Sequence, residues 1–340
     1  MGAVSVSLGL FPTEPPRRII QLIQLAEELG YARVHLGDSQ MIWREAYVLL
    51  GAAALATRHI TLATGVTNPV TRDPAVVAAA MVTLHELAGP RVQLGIGTGD
   101  SAVQTIGRKP ARLHELEQAV GAIRRLIAGE PIVHPATGAE ARIVYAPAGL
   151  RIPVVIAVSS PRIHRLAGKI ADGAIVLVGI DPAFLTASRA ELAAGAAEAG
   201  RDLTAAGFRV ACWTPCSIQE DGRAARAAVK AHVARVLKRD LPFPLGPEDQ
   251  AVVQRIRAEY EYYQHMVPGT RHGELVPDAL AAKFAVAGTA REVQDQLERL
   301  AASGLVDEIV IVPHAPQPAE RERIIRAVGA MLPALVRARP

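Results

Sequence analysis

Cysteine is nearly missing from this chain of 340 residues, which holds two, Cys212 and Cys216. A lone C-x-x-x-C pair, with no further cysteine or neighbouring histidine, builds neither a disulfide framework nor a zinc site. Both are expected as buried, inert thiols. Aromatics make up only 4% of the residues, and none interleave with basic clusters, which removes the pattern of a nucleic-acid reader. No run approaches the roughly 18–20 uncharged apolar residues of a membrane span. The opening Met1-Gly2-Ala3-Val4-Ser5 has no basic segment ahead of an apolar core, so no secretion signal is expected. A strong charge of either sign is lacking too: 37 Lys and Arg stand against 33 Asp and Glu, a net +4, with a pI near 9.3. The expectation is a cytoplasmic protein that takes a small-molecule substrate, without nucleic acid or membrane as partner, and forms a homo-oligomer, dimer or tetramer.

What the chain does have is a stretch from Ile60 to Asp100 on which the rest can be hung. Ile60-Thr61-Leu62-Ala63-Thr64 has strand length and a β-branched composition. The turn-rich Gly65-Val66-Thr67-Asn68-Pro69-Val70-Thr71-Arg72 follows, and then Asp73-Pro74 reads as an N-cap with proline at the first helical position. Val77, Ala80, Met81 and Leu84 recur at i, i+3, i+4 and i+7, one apolar helix face, closed by Gly89-Pro90. A second strand, Arg91 to Ile96, runs into Gly97-Thr98-Gly99-Asp100. Both strands end in loops of glycine and short polar residues, where parallel α/β folds place their sites. Gly65, Gly97 and Gly99 either make tight turns or let bare backbone approach a flat or anionic ligand. Gly97-x-Gly99 lacks the third glycine of a dinucleotide fingerprint.

The same alternation runs along the chain. Strands are predicted at Val4 to Leu10, Ala32 to Leu36, Pro153 to Val158, Gly173 to Val178, Phe208 to Ser217 and Glu308 to Val312, besides the two above. Helices fall between them, among them one from near Trp43 to Thr57, one from Pro161 to Ile170 and one from Glu220 to Arg239. Pro153 to Val158 shows no alternation of polar and apolar residues, as in a strand covered on both faces. Eight strands alternating with helices predict an α/β chain with a single (β/α)8 barrel, ahead of a doubly wound open sheet. A plain barrel takes about 250 residues. The surplus is assigned to insertions at about 129–150, with a weak hairpin near Thr137-Gly138, and about 241–287.

On that architecture the strand-end loops bring Asp38, Ser39, Gly65, Val66, Thr67, Asn68, Gly97, Thr98, Gly99, Asp100, Ser159, Ser160, Val178 and Gly179 to one mouth. Ser159-Ser160-Pro161 opens a helix, where free N–H groups favour an anion; an ordinary serine cap reads equally well. Asp38 and Asp100 are either helix caps or acids beside a reacting group. Arg44, Arg72, Arg108, Lys109 and Arg162 stand near enough to suit an anionic cofactor tail or an acidic substrate.

Gly-Val-Thr-Asn-Pro followed by Gly-Ile-Gly-x-Gly-Asp resembles the bacterial-luciferase-like superfamily of flavin-type oxidoreductases. Within it, the motifs are similar to methylenetetrahydromethanopterin reductases and related enzymes of the deazaflavin coenzyme F420. The resemblance covers nearly the whole chain and implies the luciferase-like TIM barrel. It implies a cis peptide at Gly65-Val66 behind the cofactor ring, a cofactor phosphate at Ser159-Ser160, and catalytic roles for Asp100, as the acid that protonates the reduced ring, and Trp43, as a wall of the reaction site. Ser39 departs from the family: many deazaflavin relatives carry a histidine after the aspartate, and serine cannot titrate near neutral pH. A histidine of the late insertion, His265 ahead of His272, is expected to take that role, with Tyr262 and Tyr263 as further candidates. The reading is therefore an F420-dependent reductase or dehydrogenase. A two-component monooxygenase using reduced FMN and oxygen is the alternative, and a ligand-binding barrel without chemistry the third.

Overall fold

The computed structural model describes residues 3–134, 137–264, 267–315 and 317–337. Eight parallel strands close on themselves: β1 (Ser5–Leu10), β2 (Arg33–Leu36), β3 (Thr61–Thr64), β4 (Val92–Ile96), β5 (Val154–Val158), β6 (Gly173–Val176), β7 (Arg209–Ile218) and β8 (Glu308–Pro313). Each pairs with the next in sequence, β8 returns to β1 with Ser5 opposite Glu308, and β6 joins β7 with Gly173 opposite Arg209. The helices that follow them are α1 (Pro16–Glu28), α2 (Ala46–Ala56), α3 (Pro74–Ala88), α4 (Leu113–Ile127), α5 (Pro161–Ile170), α6 (Pro182–Glu198), α7 (Gly222–Leu237) and α8 (Pro318–Arg337). This is a (β/α)8 barrel, as expected. A ninth short strand, Val286–Gly288, was not expected; it pairs with the far end of β7, Cys216 to Ile218. The predicted hairpin is present as Ile132–Val133 against Glu140–Ala141. Among the described residues no helix is long and apolar enough to cross a membrane.

The period of two along each strand sorts side chains into two cores. On β7, Ala211 and Trp213 turn into the barrel with Val155, Ile175, Leu177, Val310 and Val312, while Val210, Cys212, Cys216 and Ile218 join the layer between strands and helices. Both thiols are free and buried, as expected, and burial pushes each up to about 12. Inside the barrel, Glu308 binds Arg33 and lies 3.1 Å from His35 Nε2. Burial alone would raise the Glu308 pKa; the bond from His35 and the charge of Arg33 outweigh it and hold it well below the usual carboxylate range. Trp213 stands edge-on to His35, with centroids 6.2 Å apart, and leans on Phe11 at 6.0 Å. Those rings form the floor of the mouth.

Candidate active site

The loops beyond β2, β3, β4, β5 and β6 converge on a narrow slot of about 80 Å³. Asp38, Trp43, Gly65, Val66, Thr67, Asn68, Gly97, Thr98, Gly99, Asp100 and Ser159 all line it, with Phe11, Ala157 and Leu177. Larger clefts of about 580 and 600 Å³ lie elsewhere. Some of their charged groups are paired with each other, as in Arg226–Glu292 at 3.9 Å and Arg124–Asp172 at 2.6 Å. The chemistry-bearing side chains gather in the small slot.

One wall is backbone. The Gly65-Val66 peptide is cis, as the family resemblance implied. A Cβ on Gly97 would sit 3.3 Å from Val66 and 3.6 Å from Ala157, so a side chain there would fill the slot. Gly99 holds φ at +101°, which side chains rarely adopt, and a Cβ would meet Val103 at 2.8 Å. The opposite wall is aromatic. The predicted helix start near Trp43 is displaced: α2 begins at Ala46 because the Glu45 carboxylate caps it, accepting from Val48 N at 2.7 Å. Trp43 is left in the preceding turn, stacked on Phe11 with centroids 4.5 Å apart and planes 20° off parallel. Trp213, Phe11 and Trp43 thus build from barrel floor to slot wall.

Asp38 ties two loops together. It accepts from Thr67 Oγ1 at 2.8 Å and from Arg72 at 3.1 and 3.3 Å. Asn68 accepts from the backbone N–H of Val70 and Thr71 at 3.0 and 2.9 Å, which folds the turn after β3. Ser39 is buried behind the lining and pairs with Ser101 of the slot, 3.0 Å between hydroxyls. Ser160 is the N-cap of α5, yet its side chain makes no capping bond. Val178 belongs to the buried core, and Gly179 does not reach the slot either: at φ +92° it packs against the Lys283 carbonyl, 2.4 Å from where a Cβ would be. Leu177 supplies that side of the lining.

Asp100 makes no cap bond to the short helix it precedes. Its carboxylate faces the C-terminal end of α7 and the residues just past it instead. Lys238 Nζ donates to Oδ1 at 2.9 Å, Arg239 Nη2 donates to Oδ2, and Arg235 Nε stands 3.4 Å from Oδ2. Arg235 and Arg239 also line the slot. These are the residues sequence reasoning missed, having looked for cations elsewhere. Of those named, Arg72 serves Asp38 and Glu45, Arg44 serves the Thr13 carbonyl, Arg108 serves the Val70 carbonyl at 2.9 Å, and Lys109 and Arg162 are not in the lining. The signal was present as Arg235-x-x-Lys238-Arg239, the i, i+3, i+4 spacing of one helix face.

Behind them, Arg235 Nη1 faces His232 Nε2 at 3.4 Å, and His232 Nδ1 lies 2.7 Å from His314 Nε2. Burial drives His314 down to about 3. Among its described residues the late insertion brings rings to the cluster: Tyr260 and Tyr262 hold Lys238 Nζ at 4.2 and 4.1 Å from their centroids. Tyr263 is exposed. His272 is buried, 3.1 Å from Thr270 Oγ1 and against the Tyr260 ring. His265 lies outside the described residues.

A parallel barrel with a backbone-lined slot at its carboxyl face is a widespread class, and comparison narrows it. The chain matches the luciferase-like monooxygenase family over residues 4–307 and belongs to that family. It is 27% identical over 338 residues to 5,10-methylenetetrahydromethanopterin reductase of Methanolobus tindarius, across 96% of this chain and 98% of the relative. Its backbone superposes on the coenzyme F420 dependent tetrahydromethanopterin reductase from Methanopyrus kandleri with a TM-score of 0.79, at 24% identity, over 98% of this chain and 99% of that one. It is also similar, at TM-score 0.68 and 20% identity, to monooxygenase RslO1 from Streptomyces bottropensis, over 97% and 99% of the two chains.

Proposed function

We propose that this protein is an F420-dependent oxidoreductase that moves a hydride between the deazaflavin and a small organic substrate. The observation that carries it is the slot itself, bare backbone at Gly65 and Gly97 on one side and the Trp43–Phe11 stack on the other. That lining fits a flat ring. About 80 Å³ does not take three fused rings without some movement of the side chains around the slot. When bound, the deazaflavin supplies the hydride acceptor or donor. The chain does the rest. Gly97 and Val66 support a ring face, Trp43 keeps water from the other, and Ser160 with the α5 N-terminus offers an anion site for the phosphate of the cofactor. Asp100, fixed by α7, sets the charge beside the ring. The likeness to the reductase named as coenzyme F420 dependent, over 99% of that chain, supports this reading. The proposed form is a cytoplasmic homo-oligomer.

Ser39 gives the alternative its footing, since a site with no histidine there suits a monooxygenase that works with reduced FMN. Fluorescence titration of the purified protein with F420 and with FMN separates the two. F420 is expected to bind at least about tenfold more tightly, ~1.4 kcal/mol. The reverse preference would transfer the assignment to the monooxygenase.

A further inference from the structure

Three cations and one carboxylate meet at the slot, and that imbalance needs an explanation. Arg235, in the last turn of α7, and Lys238 and Arg239, just past its end, converge on Asp100. Among the described residues no second carboxylate pairs with any of the three. Water does little for them, since their side chains are 13%, 9% and 22% exposed. The buried Nε of Arg235 makes no hydrogen bond among the described residues. Buried charges are ordinarily paired, and like charges brought close together repel. The consequence shows in their acidity. Burial first, then Arg239, pulls Arg235 down to about 10 against the attraction of Asp100. Burial likewise brings Lys238 down to about 8. The arrangement is also braced, by His232 behind Arg235 and by two tyrosine rings over Lys238. A braced surplus of positive charge beside a reaction slot is a receptor for negative charge.

We propose that Arg235, Lys238 and Arg239 form the binding site for an anionic group, a carboxylate or a phosphate, carried by the substrate, and that Asp100 is the internal anion with which it shares them. Arg235 and Arg239 provide forked donors that match either group in two-point contact. Lys238 adds a point charge. The substrate class of the proposed oxidoreductase is therefore a small organic acid or phosphate ester, a refinement that rests on the hydride-transfer reading of the slot. The acidic tail of the cofactor has the same chemistry and is the competing source.

Calorimetric titration of the full chain, without added cofactor, with inorganic phosphate tests the site independently of turnover. Phosphate is expected to bind the parent, at least tenfold more weakly to Arg239→Gln, and several-fold more tightly to Asp100→Asn, which removes the internal competitor. Arg239→Lys should keep most of the affinity, and melting curves identify any variant that fails to fold; Asp100→Asn then serves as the independent arm. Absence of phosphate binding to both the parent and Asp100→Asn overturns the proposal, as does binding that Arg239→Gln leaves unchanged. F420 titration of Arg239→Gln distinguishes the two sources. F420 affinity within twofold of the parent supports a substrate site, while a loss matching that for phosphate assigns the cluster to the cofactor tail and overturns the substrate assignment. A parent that binds phosphate but not F420 leaves the anion site standing and removes the oxidoreductase reading alone.

Discussion

Lys238 is a residue whose ionisation is displaced toward the neutral range, and it links site chemistry to stability. Burial, reinforced by Arg239 and Arg235 and only partly offset by Asp100, lowers its pKa from 10.5 to about 8. Its folded pKa lies below its unfolded value, so between about 8 and 10.5 the unfolded chain holds the proton that the folded chain has lost. Stability from this group therefore rises with pH across that window. Below it, the folded protein carries the cost of a buried ammonium, on the order of 3 kcal/mol for a shift of this size. Lys238→Met is expected to be more stable than the parent near neutral pH, with the gap closing as pH rises toward 10.5. Denaturant melts at both ends of the window measure this. A variant less stable at neutral pH would mean that the Asp100 bond and the tyrosine contacts outweigh desolvation. The sequence showed the spacing of the three cations but not that they would be buried. Only the closure of the barrel brings the end of α7 over the loop that follows β4.

At the scale of elements, the sequence was informative wherever a local rule decides the outcome. Asp73-Pro74 caps α3 as predicted, with the carboxylate accepting from Ala75 N at 2.8 Å, because cap and proline act within one turn. The strand positions were readable from β-branched runs, and the barrel from their number. The start of α2 was misplaced because Glu45 is a less usual cap, and Val286–Gly288 was missed because three residues give too short a pattern to register. The opening of α5 is a case in which both readings of a serine can be separated. Ser160 leaves the first turn without a side-chain cap, so Ser160→Asp would place a strong cap and a negative charge at a helix N-terminus. By itself that stabilises a helix by about 0.3–1 kcal/mol. The melting temperature is therefore expected to hold or rise while F420 affinity falls at least about tenfold, since the new carboxylate takes the place of the phosphate. Unchanged affinity would put the phosphate elsewhere.

At the scale of the whole molecule, the outer surface carries an apolar face that the barrel core does not use. On α2, Val48 and Leu55 are 70% and 75% exposed, and seven residues apart they lie on one side of the helix. On the neighbouring α3, Val76 and Leu87 are also exposed. The helix α2 has apolar residues on every side, its inner face buried at Leu49, Leu50 and Ala53. A helix apolar all round is covered on both sides in the assembled protein, and contiguous exposed apolar surface marks a contact. The proposed homo-oligomer supplies such a cover, with two copies meeting through α2 and α3. These helices lie on the outside of the barrel, so the assembly and the slot are separable. The double variant Val48→Glu, Leu55→Glu is expected to shift the protein to monomers in light scattering. Its F420 affinity should stay within about twofold of the parent, a difference below ~0.5 kcal/mol. Both positions face outward, so the fold loses no buried contact and melting should change only through loss of the partner. A parent that is already monomeric, or a double variant that keeps the size of the parent, would show that this face is not where copies meet.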